Sequence, residues 1–124
     1  MFRPQSKDEL KFAVSKCVDM SKFGDFSAGP YGPIGDWDVS AVTSMEYLLY
    51  GASTFNPDLS KWDVSKVTCM RSIFQRNYAF SQDISKWDVS SVTDMSSMFF
   101  DAKAFNQDLS KWVVSAATLM CNMF

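Results

Sequence analysis

The sequence predicts an α/β repeat solenoid, a stack in which each 25-residue unit adds one short strand and one short helix behind an N-terminal capping helix. Tryptophan recurs at Trp37, Trp62, Trp87 and Trp112, and a fixed period in this range is the signature of stacked repeats. The phrase around it recurs too, as Trp-Asp-Val-Ser-x-Val-Thr-x-Met over 37–45, 62–70 and 87–95. Within each unit, apolar spacing switches from helical to strand-like.

The elements follow in order. Ser6-Lys7-Asp8-Glu9 reads as a capping box. Behind it Leu10, Ala13, Val14, Cys17 and Val18 share one helical face, which predicts a helix over 7–20 closing the N-terminal end of the stack. Residues 21–36 carry Gly24, Gly29, Gly32, Gly35, Pro30 and Pro33 and read as a loop. Ile34 there already holds the phase of Leu59, Ile84 and Leu109. The domain boundaries expected are a cap and loop over 1–36, then repeats at 37–61, 62–86 and 87–111, and a truncated fourth at 112–124.

Inside a unit, Thr43 is placed to cap a helix of about two turns bearing Met45, Leu48, Leu49 and Ala52. Met95, Met98, Phe99 and Ala102 repeat that spacing, whereas Met70, Ile73 and Phe74 are followed by Asn77. Gly51 or its polar equivalents would end the helix. A turn anchored by Phe55, Phe80 and Phe105 leads to a short extended piece over 59–64, with Trp62 and Val64 on one side. Strands stacked roughly 4.8 Å apart would carry the four tryptophans across about 15 Å.

Composition excludes several function classes. With 124 residues, 47% apolar and 15% aromatic, the chain is long and apolar enough to form a core, so disorder is excluded as its main state. A net charge of −2 offers no footprint for nucleic acid or an anionic membrane. No run of 18 apolar residues spans a bilayer. The first ten residues lack the apolar core of a secretory signal, so a cell-surface or organellar location would need a signal outside this chain. Cys17, Cys69 and Cys121 lie 52 residues apart in turn, out of step with the repeat. They build neither a disulfide framework nor a zinc site and read as small hydrophobes or inert thiols.

The chain has no histidine, which removes the commonest general base and metal ligand together. The glycines of residues 24–35 lack the spacing and the Lys-Ser/Thr of a phosphate loop. No catalysis, cofactor or metal is therefore expected. The Asp38, Asp63, Asp88 and Asp58, Asp83, Asp108 ladders admit a calcium reading, but calcium needs six to eight oxygens. An Asx-type bond within each turn accounts for them more simply. Hydroxyl ladders at Thr43, Thr68, Thr93, Thr118 and Ser40, Ser65, Ser90, Ser115 admit an ice-binding reading unless the threonines cap helices. The Met45, Met70, Met95, Met120 ladder reads as core.

Positions that break the repeat are where a specific function is written. These are Glu46, Arg71, Ser96; Tyr47, Ser72, Ser97; Tyr50, Gln75, Phe100; Gly51, Arg76, Asp101; and Ser53, Tyr78, Lys103. On the helical reading they face away from Met45, Leu48 and Leu49 and are exposed. Tyr and Arg lead interface hot spots, so Tyr47, Tyr50, Arg71, Arg76, Tyr78, Phe100 and Lys103 form a candidate partner-binding stripe. The segment 112–124 carries no charged residue. An apolar last unit presents Leu119, Met123 and Phe124 as a second candidate contact, to be covered by further repeats or a partner, and predicts self-association of the isolated chain.

The Trp-Asp-Val-Ser-x-Val-Thr-x-Met runs, the return phrase Ala104-Phe105-Asn106-Gln107-Asp108-Leu109-Ser110-Lys111-Trp112 and the entry at Glu9-Leu10-Lys11-Phe12-Ala13-Val14 and Tyr31-Gly32-Pro33-Ile34 resemble the BspA-like repeats. Those repeats are found in bacterial surface proteins, mycoplasma-type surface lipoproteins and many algal proteins. The resemblance covers essentially the whole chain and implies a leucine-rich-repeat-like solenoid with a non-enzymatic role in adhesion or interaction. Val113 and Ala117 depart from the repeated Asp and Val. The function expected is a protein–protein interaction module, either a structural or linker subunit of a larger multi-subunit complex or a segment of a cell-surface adhesin.

Overall fold

The computed structural model describes residues 1–20 and 30–124. The loop expected over 21–36 therefore lies, from 21 to 29, outside the described residues. Helix α1 runs Lys7–Met20. Its start is fixed by the Glu9 amide donating to Ser6 Oγ at 3.2 Å, while Glu9 Oε2 accepts from the Gln5 amide at 3.0 Å. The return arm of the capping box thus reaches one residue further back than the motif requires. Leu10, Ala13, Val14 and Cys17 are buried in the common core, and burial pushes the Cys17 thiol pKa up. Lys7 Nζ meets Glu46 Oε1 at 3.0 Å, which ties the helix to the first unit.

Beyond α1 the expectation of an α/β repeat solenoid fails, and the leucine-rich-repeat-like reading fails with it. Among the described residues the regular elements are α1 and a single 3-10 turn, Ile34–Asp36. No strand forms. Pairing between units shrinks to three isolated parallel bridges, Ser44 to Cys69, Cys69 to Asp94 and Asp94 to Leu119.

What replaces the expected helix is a run of overlapping turns. The Leu48 amide donates to Met45 O at 3.2 Å, Tyr50 to Tyr47 O at 3.2 Å, and Ala52 to Leu49 O at 3.3 Å. The amides between them leave the unit: Met45, Tyr47, Leu49 and Gly51 donate to the carbonyls of Cys69, Arg71, Ile73 and Gln75, all at 2.9 Å. An α-helix keeps its interior amide bonds within itself; here alternate amides join one unit to the next. The backbone turns back at two left-handed positions per unit. Tyr47, Ser72, Ser97 and Asn122 have φ of 59°, 56°, 57° and 54°, and Gly51, Arg76 and Asp101 have φ of 69°, 57° and 58°. A positive φ at the third residue is what a type II turn requires, and it ends any helix there.

The expected strand over 59–64 is also a turn, closed by the Trp62 amide on Leu59 O at 3.1 Å. Trp62 and Val64 are nonetheless both buried. The tryptophans hold neighbouring units together through their indoles. Trp62 Nε1 donates to Ile34 O at 2.9 Å, Trp87 to Leu59 O at 3.0 Å and Trp112 to Ile84 O at 3.0 Å. A buried indole needs such an acceptor, and the 28-residue step sets each unit against the one before. Behind this column Phe74 stacks on Phe80 at 4.1 Å and on Phe99 at 5.5 Å, and Phe99 on Phe124 at 5.5 Å. Aromatic columns and methionines fill the core between the turns.

Candidate protein-binding face

The repeated polar residues are engaged with the backbone and with one another. Asp38 Oδ1 accepts from the Ser40 amide at 3.1 Å and its hydroxyl at 2.6 Å, and Asp63 and Asp88 do the same with Ser65 and Ser90. Asp58, Asp83 and Asp108 each accept from the amide two residues on. Threonine does not cap a helix. Instead Thr68 Oγ1 donates to Thr43 O at 3.2 Å and Thr93 Oγ1 to Thr68 O at 3.1 Å, one unit back. These ladders fix turn geometry and unit spacing.

The hydrogen bonds from Ser40 hold the Asp38 carboxyl pKa below its ordinary value, and the equivalent serines lower those of Asp58, Asp63, Asp83, Asp88 and Asp108. A carboxyl depressed in the folded state stabilises the fold above its unfolded pKa, near 3.9, and that contribution is lost as pH falls through the lower folded value. Melting temperature should therefore hold from pH 7 to about 5 and then decline steadily toward pH 2. Thermal melts at those pH values check this; a curve flat down to pH 2 would mean that the ladders do not support the fold.

The unrepeated residues gather differently. Tyr47, Tyr50, Tyr78 and Phe100 are each 37–43% exposed, large apolar rings held in water. Lys11 of α1 lies over the Tyr47 ring at 5.9 Å, and Tyr47 packs edge-on to Tyr50 at 5.6 Å. In the next unit, Arg76 Nη1 donates to Tyr50 Oη at 3.3 Å. Two residues on, Tyr78 donates to Asp101 Oδ2 at 3.5 Å and carries Lys103 Nζ above its ring at 5.1 Å. Rings and cations thus meet in two groups, Lys11–Tyr47–Tyr50–Arg76 and Tyr78–Lys103. A groove of about 280 Å³ between α1 and the first unit opens beside it, lined by Lys11, Val14, Ser15, Tyr47, Tyr50 and Ala52 among others.

Two of the left-handed positions contribute to this face. Tyr47 and Arg76 occupy them, so their side chains project from the outside of a turn and not along a helix. Two variable positions expected to be exposed are not: Ser72 and Ser96 are buried, and the Ser72 amide donates to Ser96 O at 3.0 Å. Arg71 is exposed; its carbonyl accepts from the Tyr47 amide at 2.9 Å, but among the described residues its side chain makes no hydrogen bond, ion pair or ring contact to the stripe.

At the C-terminal face Leu119 is 53% and Phe124 75% exposed, with Val113 and Met120 exposed beside them. Met123 is half-buried against the core, and its carbonyl accepts from Phe99. Sequence reasoning gave no structural role to Asn77, which is fully buried. The only sequence signal was its replacement of the small apolar residue found at Ala52 and Ala102.

Among the described residues no helix is long and apolar enough to cross a membrane, and no cluster of three or more acidic or cysteine side chains is arranged to hold a metal. No curated protein matches the chain, and no solved structure does. A family model described as Mycoplasma protein of unknown function, DUF285, matches residues 18–124. That span takes in the end of α1 and all the turn repeats, and on it the chain belongs to the DUF285 family.

Proposed function

We propose that this protein is a non-catalytic module that binds another protein, as a structural or linker subunit of a larger assembly. The observation that carries this is two groups of exposed rings and cations in mutual contact, Lys11–Tyr47–Tyr50–Arg76 and Tyr78–Lys103, with Phe100 exposed as well. Aromatic and cationic side chains prepositioned by their mutual contacts lose little entropy on docking, and Tyr and Arg dominate binding energy at such surfaces. Leu119, Met123 and Phe124 form a second, apolar contact area. A non-catalytic role fits a chain without histidine whose repeated carboxylates and hydroxyls bond to their own turns.

A second reading, a segment of a cell-surface adhesin of the BspA-like or surface-lipoprotein type, draws on the Mycoplasma family to which the chain belongs. The same stripe would then meet a host or neighbouring-cell protein. A tagged copy captured from its source cells and analysed by intact mass separates the readings. The subunit reading expects a stoichiometric complex that disappears for the Tyr50→Ala/Arg76→Ala/Phe100→Ala variant while its circular dichroism is unchanged. Recovery of free protein in an extracellular fraction favours the adhesin; a complex that survives the triple substitution contradicts the stripe.

A further inference from the structure

The turn that leads into each later tryptophan keeps one pattern over 55–62, 80–87 and 105–112, and its first counterpart, 30–37, departs from it. Tyr31 stands where the later units carry Asn56, Ser81 and Asn106, and Pro33 where they carry Asp58, Asp83 and Asp108. Asp36 stands where they carry Lys61, Lys86 and Lys111, so the charge beside the tryptophan is reversed. Gly35, in place of serine, answers to packing, since a Cβ there would come 2.7 Å from Asp58 O. No such reason applies to Asp36. It is exposed, and among the described residues its carboxylate makes no hydrogen bond or ion pair.

Three rings gather at this turn. The Asp38 amide donates to Phe2 O at 3.0 Å, which carries Phe2 onto it. The Phe2 ring centroid lies 4.3 Å from Tyr31 and 5.1 Å from Trp37, and Tyr31 and Trp37 stand 6.1 Å apart, nearly perpendicular at 79°. Trp37 Nε1 donates to Tyr31 O and Gly32 O, both at 3.1 Å, so the polar edge of the indole is satisfied within the turn. The rings, with Pro30 and Pro33, line a cavity of about 540 Å³ whose only charged side chain is Asp36. That volume lies within the range of small-molecule sites.

We infer that this cavity binds a small molecule through a methylated ammonium group. Aromatic rings attract a cation through the negative potential of their faces, and tryptophan does so best. The N-methyl groups spread the charge over an apolar surface that packs against rings and prolines, and Asp36 supplies the countercharge. An inorganic cation would exchange its hydration shell for a single carboxylate, far short of the six to eight oxygens that calcium takes. An anion would meet Asp36. The site shares no residue with the exposed face of Tyr47, Tyr50, Arg76, Tyr78 and Lys103, so it does not depend on the protein-binding reading.

The probe is choline, titrated into the protein and followed by NMR at the Trp37 indole N–H. The control ligand is 3,3-dimethylbutan-1-ol, which has nearly the same shape and no charge. Choline should shift the Trp37 resonance saturably and bind roughly tenfold or more tightly than the alcohol, as expected of a cation held against aromatic faces. Asp36→Lys installs the residue of the later units at an exposed position and should weaken choline binding roughly tenfold or more, with the Trp62 and Trp87 resonances unmoved. Equal affinity for choline and the alcohol, measured on the unaltered protein, overturns the inference by making the cavity a plain apolar one. The absence of a saturable shift at Trp37 overturns it as well, and so does undiminished choline binding by the Asp36→Lys variant.

Discussion

Phe74→Ala should lower the free energy of unfolding by about 3–5 kcal/mol, the range for removing a fully packed aromatic ring. Phe74 is fully buried and touches its own unit and the next: its ring centroid is 4.1 Å from Phe80, 5.5 Å from Phe99 and 6.1 Å from Trp87. The cavity cannot close easily, because its walls are turns pinned to adjacent units by the amide rows. Against a total of roughly 5–15 kcal/mol for a domain of ordinary stability, that loss is severe. Phe124→Ala removes the same ring from the same column at its exposed end and should cost under about 1 kcal/mol. Urea denaturation of both variants measures the contrast. Similar losses would mean that the phenyl column is not the core of the stack.

Asn77→Leu should cost about 3 kcal/mol for a different reason. Asn77 is fully buried and makes three bonds: Nδ2 donates to Phe55 O at 3.1 Å, and Oδ1 accepts from the amides of Ala79 at 3.1 Å and Phe80 at 3.0 Å. In the units on either side the return turn is closed by backbone alone, Phe55 on Ala52 O at 3.0 Å and Phe105 on Ala102 O at 3.1 Å. The middle unit substitutes the Asn side chain for that backbone carbonyl, an Asx turn, and reaches back to the preceding unit as well. Leucine fills the volume but leaves buried amides without acceptors, each costing about 1–3 kcal/mol. Asn77→Ala, which permits the backbone turn of the neighbouring units, should cost about half as much as Asn77→Leu in the same urea titration. Equal stability of all three proteins would show that the side-chain bonds contribute nothing net.

Much of the repeat was legible in the sequence, and the failure of the fold class has a specific physical cause. The period, the capping helix and the burial of Met45, Leu48, Leu49, Trp62 and Val64 follow from spacing alone. Helix and turn run could not be told apart that way, because overlapping turns bury the same i, i+3, i+4 set that a helix does. The distinguishing information lay in the left-handed positions. Ser72, Ser97, Asn122, Gly51 and Asp101 hold them, and Gly, Asn and Asp in particular suit such turns. Tyr47 and Arg76 in the same columns concealed the pattern, and both belong to the exposed face. The indole-to-carbonyl step of 28 residues was hidden for another reason. It depends on which carbonyl each turn points inward, and hydrophobic periodicity does not encode that.

The division of labour follows from the same geometry. Residues that repeat hold turns together, through Asp with Ser, Thr with Thr and Trp with the unit before. Among the residues that do not repeat, Tyr47, Tyr50, Arg76, Tyr78 and Phe100 stand exposed, whereas Ser72, Asn77 and Ser96 are buried and serve the stack. Substituting the stripe should therefore leave stability nearly unchanged, while substituting the columns should not.

The measurement that tests this most directly is hydroxyl-radical footprinting of the protein free and in its captured complex. Oxidation of Tyr47, Tyr50, Tyr78 and Phe100, each exposed in the free protein, should fall on complex formation by about half or more, as expected for rings at the dry centre of an interface. Unchanged oxidation of those four rings in a stoichiometric complex would contradict the account and place the partner elsewhere on the molecule.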